Sequence, residues 1–549
     1  MNNKSHFYIS YNLKEFTADI STSFSSRFKN DKIYHNDDEC SILLDGILLN
    51  KQELFEEYGI KELPTLLKRL YTLDKLPKDL RGAFCGAYIS KKEQSLLAFG
   101  NQTGDSSIFY FTDQNNIHIS NDFNKLASII SKKKLNEKSA HFLLTYGFIV
   151  DDDTIIEGIK RLQAGKALIV RNGEIKISTY KKFNFKDKIE ISLEEAIEQL
   201  DVKFRHAVKR CFDKDIEYGY TNHLIDISAG LDSRMTNVVA KELGYKNILN
   251  ITYSQSNSDE DKYVKLLSNY LKNQIYYRKL DNASFLLEIE ELIKMVNGLS
   301  FYCGITAGKQ FLETLNFDLF GLEHTGQLGD VVISSFVVHD STNINTNVKR
   351  NSNRIDMRYP VVTDAETQEE FMMRTRGFQG ALSTHYLRSN YTYAVSPFLD
   401  VDLIDFCISL PEEIRSNHRL YWLWVEKKYP EVAKIKSNRL NTASSTAKIK
   451  SYLTRIINRL EREKYKIGYK LGIYKYQTCP NNMNPFTYWY ETNEEIRKFI
   501  SDYYNNHINL VQNFEVLQKE IETLYNSPIA LDKLIAISLL STISVYINE

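Results

Sequence analysis

The stretch that decides the fold is Ile-Asp-Ile-Ser-Ala-Gly-Leu-Asp-Ser-Arg at residues 225–234. A β-branched run at 223–227 leads directly into small and hydroxyl residues, and a helix-compatible run follows at 235–243. The turn between a strand and a helix exposes backbone N–H groups at the helix amino terminus, which favours anions. We therefore predict a strand, an anion-binding loop and a helix in this order.

The residue types within the loop indicate a phosphate site. Gly230 lets the backbone approach a phosphate closely, and Ser228 and Ser233 supply hydroxyl donors. Asp232 fits an anion site only if a metal ion lies between its carboxylate and the phosphate, while Arg234 adds a suitable cation. Taken alone, the loop is explained equally well as a strand-to-helix turn with Asp and Ser as ordinary caps. It is not a Walker A loop, because the GxxxxGK[ST] spacing is absent.

The chain around the loop alternates between strand-like and helix-like runs. Residues 193–211 have helical spacing and follow a capping-box pair, Ser192 and Glu195. After the loop, a strand, a helix and a strand are predicted at 247–253, 260–271 and 275–279. This alternation predicts a parallel sheet with crossover helices.

The amino-terminal part, residues 1 to about 185, is β-rich instead. Its short apolar runs are separated by Gly, Asn and Asp, and they lie at 40–44, 83–89, 95–99, 108–111 and 117–119. Asn172-Gly173 tolerates positive φ and predicts a hairpin between strands at 167–170 and 175–177. These features predict antiparallel strands joined by tight turns.

Composition narrows the class of protein. A chain of 549 residues is too long for one core, so two or three domains are expected. Lys plus Arg equals Asp plus Glu, 70 each, so no overall charge directs the protein to nucleic acid or to a membrane. The six cysteines form no CxxC or Cys/His cluster, and they are Cys40, Cys85, Cys211, Cys303, Cys407 and Cys479. Reduced thiols in a cytoplasmic protein are therefore predicted.

Neither end of the sequence predicts a membrane segment. The amino terminus has no apolar stretch of signal-peptide length. The most apolar run, residues 535–547, is too short to span a bilayer and predicts a buried terminal helix.

Three segments in order resemble one family. Residues 228–233, with Ala229 and Leu231 inside them, resemble the SGGxDS pyrophosphate loop of ATP pyrophosphatase-type enzymes. Residues 325–331 resemble the SGEGADE segment of asparagine synthetases, and five positions depart from it: Thr325, Gln327, Leu328, Gly329 and Val331. Residues 396–400, Ser-Pro-Phe-Leu-Asp, match the PFLD segment of the same family.

The amino-terminal half is also similar to that family. Its matching segments lie at 44–54, 81–84, 104–110 and 158–165. The similarity covers residues 1 to about 440, and the chain is identified as a divergent member of the asparagine synthetase family. It is akin to the β-lactam synthetases and lasso-peptide cyclases of that family.

The resemblance implies a two-domain α+β and α/β fold. It assigns residues 1–185 to a degenerate glutamine-amidotransferase-like domain, an antiparallel β-sandwich of the Ntn-hydrolase type. Residues 190–440 form the parallel-sheet ATP pyrophosphatase domain, similar to adenine nucleotide α-hydrolases, after a charged linker at 181–188. A helical extension follows at 441–549.

The resemblance also implies the chemistry. ATP and a carboxylate give an acyl-adenylate and pyrophosphate, and an amine then attacks. Asp232 and Asp330 match the two magnesium-binding aspartates, although Asp330 is open to interpretation as a loop-end or N-cap residue. ATP and pyrophosphate binding falls to the Ser228–Ser233 segment and to Gly326. The lysines of the 434–439 segment are candidates for the lysine that stabilises charge at the reacting centre, and Lys436 is the better placed of them. Arg234 is the second predicted catalytic residue. A solvated polar face at 434–439 is equally compatible.

Two departures change the expected substrate. The Glu-x-Arg before the PFLD segment becomes Tyr393-Ala394-Val395, and Gln327 replaces another Glu. A site that has lost charged groups no longer pairs with the charges of the same substrate, so strict aspartate specificity is not expected.

The nucleophile of the glutaminase is missing. That chemistry requires the thiol and the free α-amine of an N-terminal cysteine, whereas position 2 is Asn2. Neither Cys40 nor Cys85 can present a terminal amine, so glutamine hydrolysis is expected to be absent.

The leading hypothesis is an ATP-dependent ligase that uses ATP and Mg²⁺ to join a small-molecule or peptide carboxylate to ammonia or an amine. One alternative is a glutamine-hydrolysing asparagine synthetase, and a second is a non-catalytic ATP-binding scaffold. No nucleic-acid or membrane partner is expected, and a homodimer remains open.

Overall fold

The computed structural model describes residues 4–305, 308–337, 344–346, 350–435, 460, 463–464, 466–475, 478 and 480–548. Two antiparallel sheets occupy the amino-terminal part, with strand orders β2-β1-β8-β7-β9 and β11-β10-β6-β5-β4-β3. The strands are β1 (His6–Asn12), β2 (Ala18–Ser23), β3 (Ile33–Asn36), β4 (Cys40–Gly46), β5 (Phe84–Ser90), β6 (Ser95–Phe99), β7 (Phe109–Thr112), β8 (Asn116–Ser120), β9 (Lys160–Arg161), β10 (Lys166–Arg171) and β11 (Glu174–Thr179). The prediction of antiparallel strands in this region is confirmed.

The two sheets pack face to face. Ile9 of β1 and Ile119 of β8 share one core with Ala87 of β5 and Leu168 of β10. The hairpin around Asn172-Gly173 is confirmed, since Arg171 pairs with Glu174 and both turn residues have positive φ. The outer face of the larger sheet is also covered by helices, so all seven residues of β4 are buried.

Four helices interrupt the β-rich region. They are α1 (Lys51–Tyr58), α2 (Leu63–Thr72), α3 (Phe123–Ile129) and α4 (Glu137–Tyr146). None exceeds ten residues. Such short helices are stabilised mainly by packing against the sheets, which explains why sequence periodicity did not predict them.

The central part contains a parallel sheet with the order β14-β13-β12-β15-β16. Its strands are β12 (His223–Asp226), β13 (Ile248–Ser254), β14 (Gln274–Lys279), β15 (Glu323–His324) and β16 (Ala394–Val395). The parallel sheet and its first three strands are confirmed. The last two strands have two residues each and were too short to predict.

Crossover helices surround this sheet. The helices of the central part are α5 (Leu193–Glu217), α6 (Asp232–Glu242), α7 (Asp259–Leu271), α8 (Ile289–Met295), α9 (Tyr302–Ile305), α10 (Lys309–Leu312), α11 (Gln368–Met372), α12 (Thr384–Arg388), α13 (Val401–Ser409), α14 (Glu412–Arg415), α15 (Arg419–Lys428) and α16 (Pro430–Ala433). The predicted capping of α5 is confirmed, because the Glu195 N–H donates to Ser192 Oγ over 3.1 Å.

The described residues of the carboxyl-terminal part from 486 onward are mainly helical. Its helices are α17 (Phe486–Thr492), α18 (Glu494–His507), α19 (Glu515–Tyr525) and α20 (Ala530–Ile547). Ile537 and Leu540 of α20 lie in the same core as Leu143 of α4 and Leu224 of the parallel sheet. The extension therefore packs against both the amino-terminal part and the central sheet.

The last helix is longer than the sequence indicated. It has 18 residues with a mean hydropathy of 1.6, so among the described residues it alone is long and apolar enough to cross a bilayer. The run at 535–547 is too short by itself, but the helix begins five residues earlier, at Ala530. The predicted burial is confirmed, since 78% of the helix is buried inside the structure.

Candidate active site

The anion loop predicted from the sequence leaves β12 at the carboxyl edge of the parallel sheet and ends where α6 begins. Ser233 Oγ accepts a hydrogen bond from the Ser228 N–H over 2.9 Å and lies 2.8 Å from Ser228 Oγ. The Gly230 N–H points to Ser228 Oγ at 3.3 Å. The serines therefore hold the loop in a closed turn, at the edge where ligands bind in open α/β sheets.

The backbone N–H groups of the loop can donate to an anionic oxygen. The Ala229 N–H donates to Glu260 Oε1 over 2.7 Å. A Cβ atom added to Gly230 would meet only Ser228 Oγ, at 3.4 Å, so the space in front of Gly230 is open. Burial raises the pKa of Glu260, and the hydrogen bond from Ala229 opposes that rise. The Glu260 carboxylate thus already accepts from the Ala229 N–H, a backbone group that a bound phosphate would use.

The segment around Gly326 lies directly against this loop. A Cβ atom added to Gly326 would lie 2.3 Å from the backbone nitrogen of Ser233. One added to Gly329 would lie 2.7 Å from Cγ of Asp232. Only glycine permits such close approach. Two segments almost a hundred residues apart in sequence are therefore in contact at the start of α6.

The backbone at Leu328 is strained. Its φ is +65°, a left-handed conformation that costs a non-glycine residue roughly 1–2 kcal/mol. Leu328 stands where the SGEGADE segment has glycine, and its side chain is buried. The turn thus keeps a glycine-like conformation without the glycine.

Asp232 and Asp330 are brought to neighbouring segments, and both side chains are partly exposed. Asp232 Oδ1 accepts from the Tyr421 hydroxyl at 2.9 Å, and Asp330 Oδ2 accepts from Ser335 Oγ at 2.7 Å. Asp330 has helical backbone angles and makes no side-chain cap. Asp330 thus precedes residues 331–335 without capping them through its side chain, and both the metal-binding and the loop-end interpretations stay predictions.

Arg234 is buried beneath the chain that leads to Lys436. Its guanidinium donates to the backbone oxygens of Ile435 and Val432, at 2.8 and 3.4 Å. Burial lowers the pKa of Arg234 to about 10. Lys436 lies outside the described residues, and Lys434 is an exposed lysine paired with Glu431. The predicted roles of Arg234 and Lys436 stay predictions.

The third matching segment reaches the same place. Ser396 Oγ donates to the backbone oxygen of Gln327 over 2.9 Å. The Phe398 ring lies beside Gly329, where an added Cβ would be 2.8 Å from it. Asp400 caps α13 by accepting from two of its backbone N–H groups. All three resembling segments therefore meet at one edge of the sheet.

Both cysteines of the amino-terminal part, Cys40 and Cys85, are buried. Asn2 lies outside them. Burial raises the pKa of both the Cys85 and the Cys40 thiol, which disfavours the reactive thiolate. Tyr393 donates to Asp45 Oδ1 over 3.0 Å, and Asn121 donates to Asp45 Oδ2 over 2.7 Å. Tyr393 thus lies against the amino-terminal sheets.

Sequence reasoning missed two polar clusters on opposite faces of β12 and β15. On one face, Asp215 Oδ2 lies 2.7 Å from both His223 Nδ1 and His324 Nε2. On the other face lie Asp226, Tyr253, Glu323 and Arg388. The sequence carried one signal for these clusters. Charged residues occur within strands of a buried parallel sheet, where residues are normally apolar.

No family model matches the chain, and no curated protein is similar to it in sequence. The solved structures that match the chain include two of weak similarity. One is the glutamine phosphoribosylpyrophosphate amidotransferase from B. subtilis, complexed with ADP and GMP, at 8% identity and a TM-score of 0.24; the match covers 51% of this chain and 86% of that one. The other, an allosteric regulatory enzyme of purine biosynthesis, has the same identity and TM-score and is covered to 75%.

Proposed function

We propose that this chain is an ATP-dependent, amide-forming ligase of the asparagine-synthetase type. It adenylates a carboxylate, releases pyrophosphate, and joins the acyl group to ammonia or to a substrate amine, with AMP as the second product. The observation that carries the proposal is the contact between the Ser228–Ser233 loop and the Gly326–Asp330 segment. That contact sets two acidic side chains beside an anion-accepting loop.

The residues present fit ATP and Mg²⁺. Asp232 and Asp330 offer the hard oxygen ligands that Mg²⁺ prefers. The Ala229 N–H, which donates to the Glu260 carboxylate, is proposed to donate to a phosphate oxygen instead when ATP binds. Bound magnesium supplies charge neutralisation on the phosphates. Ser228 and Ser233 orient the loop, and the backbone at Gly326 would contact the adenosine.

Arg234 and Lys436 complete the proposed site in different ways. By holding the carbonyl groups of Val432 and Ile435, Arg234 fixes the chain immediately before Lys436. Lys436 is proposed to place its ammonium group where negative charge develops. Under this proposal Arg234 is a positioning residue and does not touch phosphate.

The amino-terminal part, residues 1–185, is proposed to be an Ntn-type amidotransferase-like domain without glutaminase activity. Support comes from the two buried thiols of this part, Cys40 and Cys85. Residues 190–440 would form the synthetase domain, and 441–549 the helical extension. In this proposal the first domain is a scaffold for the second.

The products of ATP turnover test the proposal. Purified protein is incubated with ATP, MgCl₂, ammonium chloride and a panel of carboxylates, and nucleotides are separated by ion-exchange chromatography. AMP and pyrophosphate in equal amounts are expected, with no glutamate released from added glutamine. Formation of ADP alone would overturn the ligase assignment, and glutamate release would overturn the loss of glutaminase.

A second candidate, a non-catalytic nucleotide-binding scaffold, is favoured by one contact. Glu260 occupies the Ala229 amide, so a phosphate must displace a carboxylate that the chain itself provides. Tight nucleotide binding without turnover on any carboxylate of the panel would select this candidate.

A further inference from the structure

A cleft between the amino-terminal part and residues 361–379 is lined by a buried arginine. Arg161 of β9 lies on the amino-terminal side of the cleft, and Val361 and Phe378 lie on the other side. The cavity between them measures about 50 Å³. Because one buried water needs about 10–15 Å³, the cleft has room for several waters or for the head group of a small ligand.

Arg161 is almost completely buried and has few partners. Only 4% of it is exposed. Among the residues that the structure describes it forms no ion pair, and its guanidinium makes one hydrogen bond, from Nη2 to the backbone oxygen of Ile149 over 3.5 Å. A guanidinium carries five N–H donors, and a buried charge is costly in free energy unless it is paired. Arg161 therefore brings unused donors and an uncompensated positive charge to the cleft.

Two other charged residues line the cleft, and each already has an ionic partner. Asp151 Oδ2 lies 2.8 Å from Lys138 Nζ. Arg374 Nη1 lies 2.7 Å from Asp364 Oδ1 and 3.3 Å from Glu370 Oε1. The arginine of β9 is thus the cleft residue whose charge is left without a partner, so a ligand that enters the cleft to pair with it is an anion.

The walls favour an organic carboxylate over an inorganic anion. Val361, Phe371 and Phe378 offer apolar surface, and Val362 beside them is 77% exposed. Such surface favours a ligand that buries hydrocarbon. One guanidinium matches one carboxylate in a bidentate pair, whereas a dianion such as sulfate would bring a second negative charge toward Asp151.

A π-helical turn separates the cleft from the candidate active site. The turn comprises Met373–Gly380, and its residues Thr375 and Phe378 line the cleft. Gly377 of the same turn lies beside Leu328, since a Cβ atom added to Gly377 would be 3.7 Å from Leu328 Cδ1. The cleft is therefore a second site, one layer away from the segment that contacts the start of α6.

We propose that this cleft binds a small organic acid, and that Arg161 holds its carboxylate through two parallel N–H···O bonds. The hydrocarbon part of the acid packs against Val361 and Phe371 and extends past Val362 toward solvent. The site does not depend on the proposed ligase function, because none of its residues belongs to the Ser228–Ser233 loop or to the Gly326–Asp330 segment.

Titration of the full chain with sodium isobutyrate and sodium benzoate, without ATP or Mg²⁺, tests the site. The wild type is expected to show saturable binding by calorimetry and a rise in Tm at constant ionic strength. Arg161→Gln should weaken the Kd at least tenfold, because the charged member of a bidentate pair is lost. Lys160→Gln is the matched control. Its ammonium group pairs with Asp153 at 2.6 Å, so the Kd should stay within about twofold of the wild type.

Unfolding without ligand separates a binding role of Arg161 from a structural one. A cation that serves binding has no partner in the free protein, so Arg161→Gln should have a Tm equal to or above that of the wild type. A lower Tm together with an unchanged Kd would show a structural arginine and overturn the proposal.

A pair of variants at an exposed position keeps the test valid if Arg161→Gln fails to fold. Val362→Asp adds a negative charge near the carboxylate and should weaken the Kd for isobutyrate about threefold relative to Val362→Asn, which has the same size without the charge. Isobutyramide, the neutral analogue, should not bind the wild type.

Four results would each overturn the carboxylate site. They are equal Kd values for isobutyrate in Arg161→Gln and the wild type, equal Kd values in the two Val362 variants, tighter binding of sulfate than of isobutyrate, and no saturable binding of isobutyrate or benzoate to the wild type.

Discussion

Two aspartates, Asp45 and Asp232, lie in segments that resemble the same family, and their surroundings differ. Asp45 is 5% exposed and both of its oxygens accept hydrogen bonds, from Tyr393 and Asn121. Asp232 is partly exposed and lies between Gly329 and a loop with open space at Gly230. The first aspartate connects two parts of the chain, whereas the second borders a place where a ligand fits. An acidic residue therefore serves packing at Asp45, whereas at Asp232 it can serve ligand binding.

The strongest test of that contrast replaces Asp232 and Asp330, the two acids beside the loop after β12. Asp232→Asn and Asp330→Asn should each lower ATP turnover at least a hundredfold, because a magnesium ligand and its charge are lost. Turnover is measured by pyrophosphate release, and folding by circular dichroism. Asp405→Asn, which alters an exposed ion pair with Lys181, is the control and should retain full turnover. Normal turnover in both site variants would contradict the proposed metal site.

Two glycines near Asp232 should separate an effect on stability from an effect on nucleotide binding. Gly326→Ala sets a Cβ atom 2.3 Å from backbone, so we expect a loss of about 1–3 kcal/mol of stability and at least tenfold slower turnover. Gly230→Ala meets open space and should leave the Tm unchanged while weakening nucleotide binding severalfold. Thermal unfolding and ATP titration measure the two effects. Equal losses of stability in both variants would show that Gly326 has no special packing role.

A substitution beside Asp45 should change the stability of the protein but not its turnover. Tyr393→Phe leaves a buried oxygen of Asp45 without its donor, which costs about 1–3 kcal/mol. Burial raises the pKa of Asp45, while Tyr393 favours its ionised form. The loss should therefore be smallest at acid pH, where Asp45 is protonated, and grow as the pH rises through its raised pKa. Unfolding from pH 4 to 8 measures this trend, with the exposed Tyr34→Phe as control; turnover per folded molecule should not change.

The smallest expected effect concerns the carboxylate on the loop amide. Because burial raises the pKa of Glu260, its charge disappears on acidification earlier than that of an ordinary glutamate. Repulsion of phosphate should weaken as the pH falls, so ATP affinity should rise by a factor of a few. Glu260→Gln should bind ATP more tightly at pH 8 and show a flatter pH dependence than the wild type. Parallel pH profiles of the two proteins would exclude a role for the Glu260 charge.

Regular elements with a strong local pattern were predictable from the sequence. The strand at 95–99, the Asn172-Gly173 hairpin and the helix capped by Ser192 depend on alternation, turn chemistry and capping, which act over a few residues. The helices α1 to α4 and the two-residue strands β15 and β16 were not predictable. Their local signal is weak, and packing against distant segments stabilises them.

The amino-acid sequence by itself determined the strand, turn and helix at β12 and α6 and the parallel alternation around them, because both depend on residue types at short spacing. The resemblance to a family singled out Asp232 and Asp330 as candidate acids. Only the tertiary structure decided that the Gly326 segment rests on the start of α6, that Tyr393 closes over Asp45, and that Arg388 pairs with Glu323. The physical reason is that charge and access depend on neighbours brought together by packing, and those neighbours are 65 to almost 350 residues apart in the chain.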